Sequence, residues 1–223
     1  MDEELKNSVL KTGTSILGIV CKDGIVMAGD RQVTAGERIV VSKTTPKVIQ
    51  INDYIVGAWS GLAADAQMLK KILSAELRLK ELRSKSRPSV KEAANLFAML
   101  TFRNIRQFSP IMGIVGSLIG GFNKDGTTEV YTIDPAGNIS KVEDYDANFG
   151  SGMPYILGLL ERQYKKDMSV KEGIELAVEC IKSSSQRDTG SGFGIDVFTI
   201  TKESIQHVVK QKTEILYKEE KKN

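Results

Sequence analysis

Short apolar runs in the first quarter of the chain predict β-strands. Residues 16–21 and 25–29 flank the turn residues Lys22-Asp23-Gly24, a pattern typical of a β-hairpin. Neither run alternates cleanly between apolar and polar residues, which favours strands that are covered on both faces. Further apolar runs predict strands at residues 39–41, 47–51 and 54–59.

Helical spacing of apolar residues begins near residue 62. A helix is predicted from about Leu62 to Arg83, with an apolar face formed by Leu69, Ile72, Leu73 and Leu77. Arg87-Pro88 ends this helix. Ser89 followed by Glu92 is a capping-box pattern, and it predicts the start of a second helix.

The second half of the chain repeats this order of strands and helices. Strands are predicted at residues 114–122 and 129–134, a third helix near Pro154, and a fourth after the capping-box pair Ser169 and Glu172. A last strand is predicted at residues 196–201. Runs of strands that alternate with pairs of helices indicate an α+β fold in one domain, rather than alternating βαβ units.

Composition excludes several classes of protein. The 223 residues carry a net charge of +3 with acids and bases interleaved, which is too little to indicate nucleic-acid binding. No apolar run approaches the roughly 20 residues that span a bilayer, and the polar, acidic residues 1–6 are not a signal peptide. Cys21 and Cys180 are too few for a disulfide framework or a zinc site, which fits a cytoplasmic protein. Residues 218–223 are expected to be disordered.

The chemistry that the sequence suggests lies at the Gly13–Thr14 bond. Residues 1–13 are charged and unpatterned and lead directly into a predicted strand, so they resemble a detachable segment. Cleavage would leave Thr14 with a nucleophilic Oγ and a free α-amine, whose pKa of about 7.7–8.0 suits a general base. Glycine before the nucleophile tolerates the tight turn that self-cleavage needs. His207 is the only histidine and has no nucleophile-elbow motif beside it, so few histidine-based mechanisms remain.

Several other short motifs along the chain fit the same chemistry. In order, they are Thr14-Ser15-Ile16, Asp30, Lys47, Ser60-Gly61-Leu62-Ala63-Ala64-Asp65, Gly150-Ser151-Gly152 and Arg187-Asp188-Thr189-Gly190-Ser191-Gly192. With these motifs, the chain from Gly13 to about Ile200 resembles the proteasome β-subunit family of N-terminal-nucleophile hydrolases. The resemblance implies a four-layer α-β-β-α sandwich of two stacked antiparallel sheets. It also implies that autocleavage removes residues 1–13 and leaves residues 14–223 as a single catalytic domain.

The resemblance further implies roles for individual residues. Thr14 is the nucleophile, Lys47 lowers the effective pKa of its Oγ, and Asp30 pairs with the lysine and orients it. Gly61 presents its backbone N–H to the developing oxyanion. A second group completes the site around the amine, and it consists of Ser151, Asp188 and Ser191.

The match to the family is imperfect in two places near these residues. Lys43 lies only four residues before Lys47, and the choice of Lys47 rests on aligning residues 48–51 with the family's following strand after a one-residue insertion. Active family members usually carry Arg two residues after the acid, where this chain has Gln32. A shorter bacterial ATP-dependent relative also has Gln there, so we expect Gln32 to be tolerated.

Trp59 falls where the family places the floor of the pocket for the substrate side chain before the scissile bond. The resemblance implies pocket walls formed by Val33, Thr45, Ile49 and Ala63. An indole at the floor should make the pocket shallow unless the ring swings aside. We therefore expect a preference for small or medium apolar side chains, or weak peptidase activity.

The resemblance implies a threonine endopeptidase that hydrolyses unfolded proteins without a metal or cofactor. It implies a heptameric β ring, stacked against α-subunit rings and fed by a ring ATPase. A poorly processed structural subunit of a mixed ring is the main alternative, although the intact set Thr14, Asp30 and Lys47 argues against it. An α subunit is disfavoured because residues 1–13 are too short for the extra helix of that branch. An unrelated amidohydrolase with the same type of nucleophile remains open.

Overall fold

The computed structural model describes residues 13–35 and 39–214. The helices are α1 (Ala63–Ser84), α2 (Val90–Arg106), α3 (Met153–Gln163) and α4 (Val170–Arg187). The strands are β1 (Ile16–Cys21), β2 (Gly24–Asp30), β3 (Val33–Ala35), β4 (Ile39–Ser42), β5 (Val48–Asn52), β6 (Ile55–Gly61), β7 (Val115–Phe122), β8 (Thr128–Ile133), β9 (Ile139–Lys141), β10 (Tyr145–Asp146), β11 (Gly194–Ile200) and β12 (Ile205–Lys212). The leader before Gly13 lies outside the described residues. The prediction of disorder at residues 218–223 also concerns residues outside them.

Two five-stranded antiparallel sheets form the centre of the fold. The first sheet has the strand order β10-β1-β2-β11-β12, and the second has the order β5-β6-β7-β8-β9. The predicted first hairpin is confirmed, with Ile16 opposite Gly29 and Cys21 opposite Gly24. β2 is the middle strand of the first sheet and ends at Asp30, so the sheet fixes the position of this carboxylate.

The two sheets stack on each other, and a pair of helices covers each outer face. Leu17 and Ile19 of β1 belong to the core beneath α3 and α4, while Ile16 belongs to the core shared with the second sheet. The second sheet packs its other face on α1 and α2. Because both sheet faces are covered, β2 is buried along its whole length, which explains why its sequence does not alternate. The expected four-layer α-β-β-α sandwich is confirmed.

Both predicted capping boxes are confirmed at helix starts. The Glu92 backbone N–H donates to Ser89 Oγ at 3.2 Å, and the Ser89 N–H donates to Glu92 Oε2 at 2.8 Å. Ser169 and Glu172 make the same reciprocal pair at the start of α4. Each box satisfies two N–H groups that the first helical turn leaves without intrahelical partners.

The prediction of a single final strand is wrong, because β12 follows β11 and pairs with it as a hairpin. The register runs from Ile200 opposite Ile205 to Gly194 opposite Lys212. β12 is an edge strand whose side chains are mostly exposed, so its sequence is dominated by polar and charged residues. An apolar pattern therefore marks β11, which is buried throughout, and does not mark its partner.

Candidate active site

The carbonyl oxygen of Gly13 accepts hydrogen bonds from two side chains. Thr14 Oγ1 donates to it at 2.6 Å, and Lys47 Nζ donates to it at 2.8 Å. The Gly13 N–H donates to Thr34 Oγ1 at 3.0 Å, which fixes the peptide from its other side. Thr14 is 3% exposed and Lys47 is 8% exposed, so water competes little for these bonds. Two donors on one carbonyl withdraw electron density from its carbon and favour attack by a nucleophile.

Asp30 holds the lysine in place. Its Oδ1 lies 2.8 Å from Lys47 Nζ and also accepts the Ser15 N–H at 2.9 Å. Its Oδ2 accepts the N–H groups of Gln32 at 2.9 Å and Gly192 at 3.0 Å. Burial lowers the pKa of Lys47, and the nearby Asp30 carboxylate opposes that shift. The pair therefore keeps a positive charge next to the Gly13–Thr14 bond in a site nearly closed to solvent.

The geometry chooses between the two candidate lysines. Lys43 Nζ lies 4.7 Å from the centroid of the Phe193 ring, in a cation–π contact. Lys47 precedes β5 and contacts both Asp30 and the Gly13 carbonyl. The structure thus brings Lys47, and not Lys43, to Thr14.

A second chain of hydrogen bonds begins at the Thr14 nitrogen. The Thr14 N–H donates to Ser151 Oγ at 3.1 Å, and Ser151 Oγ donates to Asp188 Oδ2 at 2.6 Å. Ser191 Oγ donates to the same carboxylate oxygen at 2.5 Å. Ser151 lies just before α3, and Asp188 caps the end of α4, so the helical layer positions both. All three residues of the expected second group lie together beside the Thr14 nitrogen.

Several hydrogen bonds of the site escaped the sequence analysis, as did the residue Ser184. Ser15 Oγ lies 2.7 Å from Ser184 Oγ and 2.8 Å from Ser191 Oγ, and all three side chains are buried. Gln32 Nε2 donates to the Thr189 carbonyl at 2.7 Å. A serine at position 184 on the apolar stripe of α4 was the available signal, because buried hydroxyls are normally hydrogen-bonded.

Gly13 also contacts a glycine from the far end of the chain. A Cβ built on Gly13 would lie 2.0 Å from Gly190 Cα, and a Cβ built on Gly190 would lie 2.3 Å from Gly13 Cα. No side chain fits at either position without moving the backbone. This close approach gives Gly13 a steric role in addition to the turn expected from the sequence.

A cavity of about 60 Å³ opens beside Thr14. Four of the five predicted pocket residues line it, namely Val33, Thr45, Trp59 and Ala63. The predicted oxyanion residue Gly61 lines it too. Ile49 is not among its lining residues, and it borders a separate cavity near Arg31 and Asp196.

The Trp59 indole is fixed in this cavity rather than free to swing aside. Its ring covers Gly57, where a Cβ would lie 2.2 Å from a ring carbon. It meets the Phe97 ring edge-on at a centroid distance of 6.1 Å. Trp59 is 4% exposed, and its Nε1–H has no hydrogen-bond partner among the described residues. The ring is therefore held in place where it lines the cavity.

Comparison with known proteins agrees with this geometry. Residues 10–200 match the family model described as "Proteasome subunit". The chain belongs to the proteasome β-subunit family. A "Proteasome subunit beta" of Nanoarchaeum equitans is 42% identical over 86% of this chain and 95% of its own length. Its counterpart in Methanosarcina mazei is 38% identical over 92% of this chain and 94% of its own length. A third, from Methanopyrus kandleri, is 39% identical over 87% of this chain and 90% of its own length.

A second buried ion pair lies close to the site of this proteasome-family chain. Arg31 donates from Nε and Nη2 to the two carboxylate oxygens of Asp196, at 2.7 and 2.5 Å. His207 Nε2 lies 2.8 Å from Asp196 Oδ1, and its ring stacks on Phe198 at 4.3 Å. The bond to Asp196 raises the pKa of Arg31. The histidine thus belongs to a cluster that makes no hydrogen bond to Thr14.

The helices carry no sign of a membrane segment. Within residues 13–35 and 39–214, each helix is too short or too polar to cross a bilayer.

Proposed function

We propose that this chain is the precursor of a threonine-type endopeptidase, and that its first substrate is its own Gly13–Thr14 bond. The supporting observation is the Gly13 carbonyl oxygen, which accepts hydrogen bonds from Thr14 Oγ1 and from Lys47 Nζ. An ordinary peptide bond at the protein surface would not accept a hydrogen bond from a buried lysine that is paired with a buried carboxylate. The comparisons support the family, and this contact supports the chemistry.

Self-cleavage would proceed through an ester. Thr14 Oγ adds to the Gly13 carbonyl carbon and passes its proton to a water molecule, which carries it to the Thr14 nitrogen, while the Lys47 ammonium stabilises the negative charge on the carbonyl oxygen. The C–N bond then breaks, and the Thr14 nitrogen leaves as an amine. Water hydrolyses the resulting ester between Gly13 and Thr14 Oγ. The products are residues 1–13 with a free carboxylate and a new N-terminal amine on Thr14.

The same groups would then hydrolyse other peptides. Thr14 Oγ adds to the carbonyl carbon of the substrate and passes its proton to the Thr14 α-amine, which then protonates the leaving nitrogen as the C–N bond breaks. The Thr14 nitrogen lies 3.1 Å from Ser151 Oγ, in the chain of hydrogen bonds that ends at Asp188. Ser191 supports that carboxylate, and Asp30 keeps Lys47 charged. The Gly61 N–H stabilises the oxyanion of the tetrahedral intermediate. Water releases the acyl group, and the reaction needs no metal or cofactor.

We propose assembly that matches the names of the relatives. The chain would form a heptameric β ring against a ring of α subunits in the cytoplasm, with a ring ATPase that delivers unfolded proteins. A sequestered chamber suits this chemistry, because an exposed N-terminal threonine would cleave any unfolded chain that reaches it. Trp59, which restricts the cavity, favours one alternative, a structural β subunit in a mixed ring.

Intact mass and N-terminal sequencing after co-assembly with the matching α subunit would test the proposal. We expect a new N-terminus at Thr14 in the wild-type particle. Thr14→Ala should abolish this cleavage, because it removes the nucleophile. Thr127→Ala, which removes a hydroxyl from an exposed turn, should process like the wild type. A full-length chain in a finished wild-type particle would favour the structural subunit.

A further inference from the structure

Lys70 brings a second lysine to the cavity beside Thr14. It lies on α1, one turn after Ala66, and both residues line the cavity. Its Nζ lies 5.2 Å from the centroid of the Trp59 ring, in a cation–π contact. The ammonium group therefore lies beside the Trp59 ring, which also lines the cavity.

The charges that line this cavity are not balanced. Lys47 and Lys70 are its two charged lining residues, and none of the lining residues is acidic. Lys47 is neutralised by Asp30 at 2.8 Å. Within the described residues, no carboxylate lies within salt-bridge distance of Lys70. Among the residues that the structure describes, Lys70 thus gives the cavity one positive charge without a carboxylate partner.

The surroundings of Lys70 increase its need for an anionic partner. Burial lowers the pKa of Lys70, which means that the protein solvates its ammonium group less well than water does. The indole face offsets only part of this loss. A carboxylate at the same place would form a charge-assisted hydrogen bond, which is roughly twice as strong as a neutral one.

We propose that this pocket selects a short acidic side chain, aspartate above all, at the residue before the scissile bond, through an ion pair with Lys70. The inference rests on the proposed peptidase function. It adds short acidic side chains to the small or medium apolar side chains that the sequence led us to expect at this position. The fixed Trp59 ring and the cavity of about 60 Å³ restrict the length of the side chain. Aspartate fits this restriction better than glutamate does.

Internally quenched peptides that differ only at the residue before the scissile bond test the proposal on the assembled particle. Aspartate and asparagine have the same shape, so the ratio of their kcat/KM values isolates the charge. We expect a ratio of about ten in favour of aspartate, the scale of one hydrogen bond to a charged group. Glutamate should be cleaved more slowly than aspartate, and alanine should be cleaved regardless of charge.

Variants of Lys70 decide whether this residue is responsible. Lys70→Met keeps the length of the side chain and removes its charge, so the aspartate-to-asparagine ratio, which is measured within each variant, should fall to one or below. Lys70→Arg should keep a ratio above one. Arg78→Met, on the exposed face of the same helix, is the matched control and should leave the ratio unchanged. Equal rates for aspartate and asparagine in the wild type, or an unchanged ratio in Lys70→Met, would overturn the proposal.

A binding measurement separates this proposal from the peptidase function. In particles assembled from chains made without residues 1–13 and carrying Thr14→Ala, so that Gly13 does not fill the site, amidated tetrapeptides that end in aspartate or asparagine would be compared by competition with a fluorescent peptide. Tighter binding of the aspartate peptide, lost in the double variant with Lys70→Met, supports the pocket even if no peptide is cleaved. Equal binding overturns it. Failure of every wild-type particle to cleave any peptide, with the binding difference intact, contradicts the proposed function alone.

Discussion

Asp30 and Arg31 are neighbours in the chain, but each enters a different buried ion pair. Asp30 pairs with Lys47 at 2.8 Å, and Arg31 pairs with Asp196 at 2.7 and 2.5 Å. Both carboxylates are fully buried. The Lys47 ammonium has a further bond to the Gly13 carbonyl, whereas the Arg31 guanidinium donates from Nε and Nη2 to the Asp196 carboxylate. Only the first pair therefore has a cation available to a reacting group.

The comparison shows that burial and charge do not identify a catalytic pair. His207, the only histidine, contacts Asp196 of the Arg31–Asp196 pair. Histidine is the side chain most often used in acid–base catalysis, yet His207 makes no hydrogen bond to Thr14. A bidentate Arg–carboxylate pair is geometrically strong and suits a structural role. What distinguishes the site is a donor aimed at a peptide carbonyl.

Replacing Asp30 with Asn should have the largest effect on activity. The change leaves Lys47 buried without a counter-charge, and breaking a buried ion pair costs about 3–5 kcal/mol. Lys47 would then lose its proton or move away, so processing should slow by at least about a hundredfold, the scale of one lost oxyanion donor. Intact mass against time and urea unfolding would measure the two effects. Processing at the wild-type rate would contradict the assigned role of the pair.

Replacing Asp196 with Asn should destabilise the protein as much while sparing the chemistry. Arg31 would lose its partner in the buried cluster, at a cost of about 3–5 kcal/mol of unfolding free energy. The fraction that folds should still free Thr14 at close to the wild-type rate. Urea unfolding and the processing rate per assembled particle would be compared with those of Asp30→Asn. Loss of processing in fully assembled particles would show that the two pairs are coupled.

Replacing His207 with Gln should have the smallest effect. The His207 ring is partly exposed, and the Gln amide can replace its bond to Asp196. The free energy of unfolding should therefore fall by about 1 kcal/mol. From pH 5.5 to 8, the pH profile of the variant's peptidase activity should be the same as that of the wild type. Thermal unfolding and kcat/KM would measure this. A changed pH profile would assign His207 a part in the reaction.

Sequence alone predicted the parts of the fold that have a local physical cause. The two capping boxes depend on residues three positions apart, and Ser89 and Ser169 begin α2 and α4 as predicted. The buried strands β1 and β2 were also predicted, because a strand covered on both faces must be apolar throughout. β12 was missed for the opposite reason, since an exposed edge strand needs no apolar residues.

The site divides in the same way. Thr14, Asp30 and Lys47 could be named from motifs, and the alignment that chose Lys47 over Lys43 agrees with the distance of 2.8 Å between Lys47 Nζ and Asp30 Oδ1. Ile49 was expected in the cavity, but the structure places it beside another one. The sequence shows Lys70 only as one charge in a run of mixed charges. The role proposed for it depends on its contact with the Trp59 ring, which the sequence does not show.

The Gly13 carbonyl also sets an order of events. It occupies both the hydroxyl of Thr14 and the ammonium of Lys47, the two groups that a foreign peptide would need. Under the proposed function, each molecule must therefore act on itself once before it can act on anything else. Under that proposal, a newly made chain would be inactive towards other proteins, and hydrolysis of its own peptide bond would be the irreversible step that starts its activity.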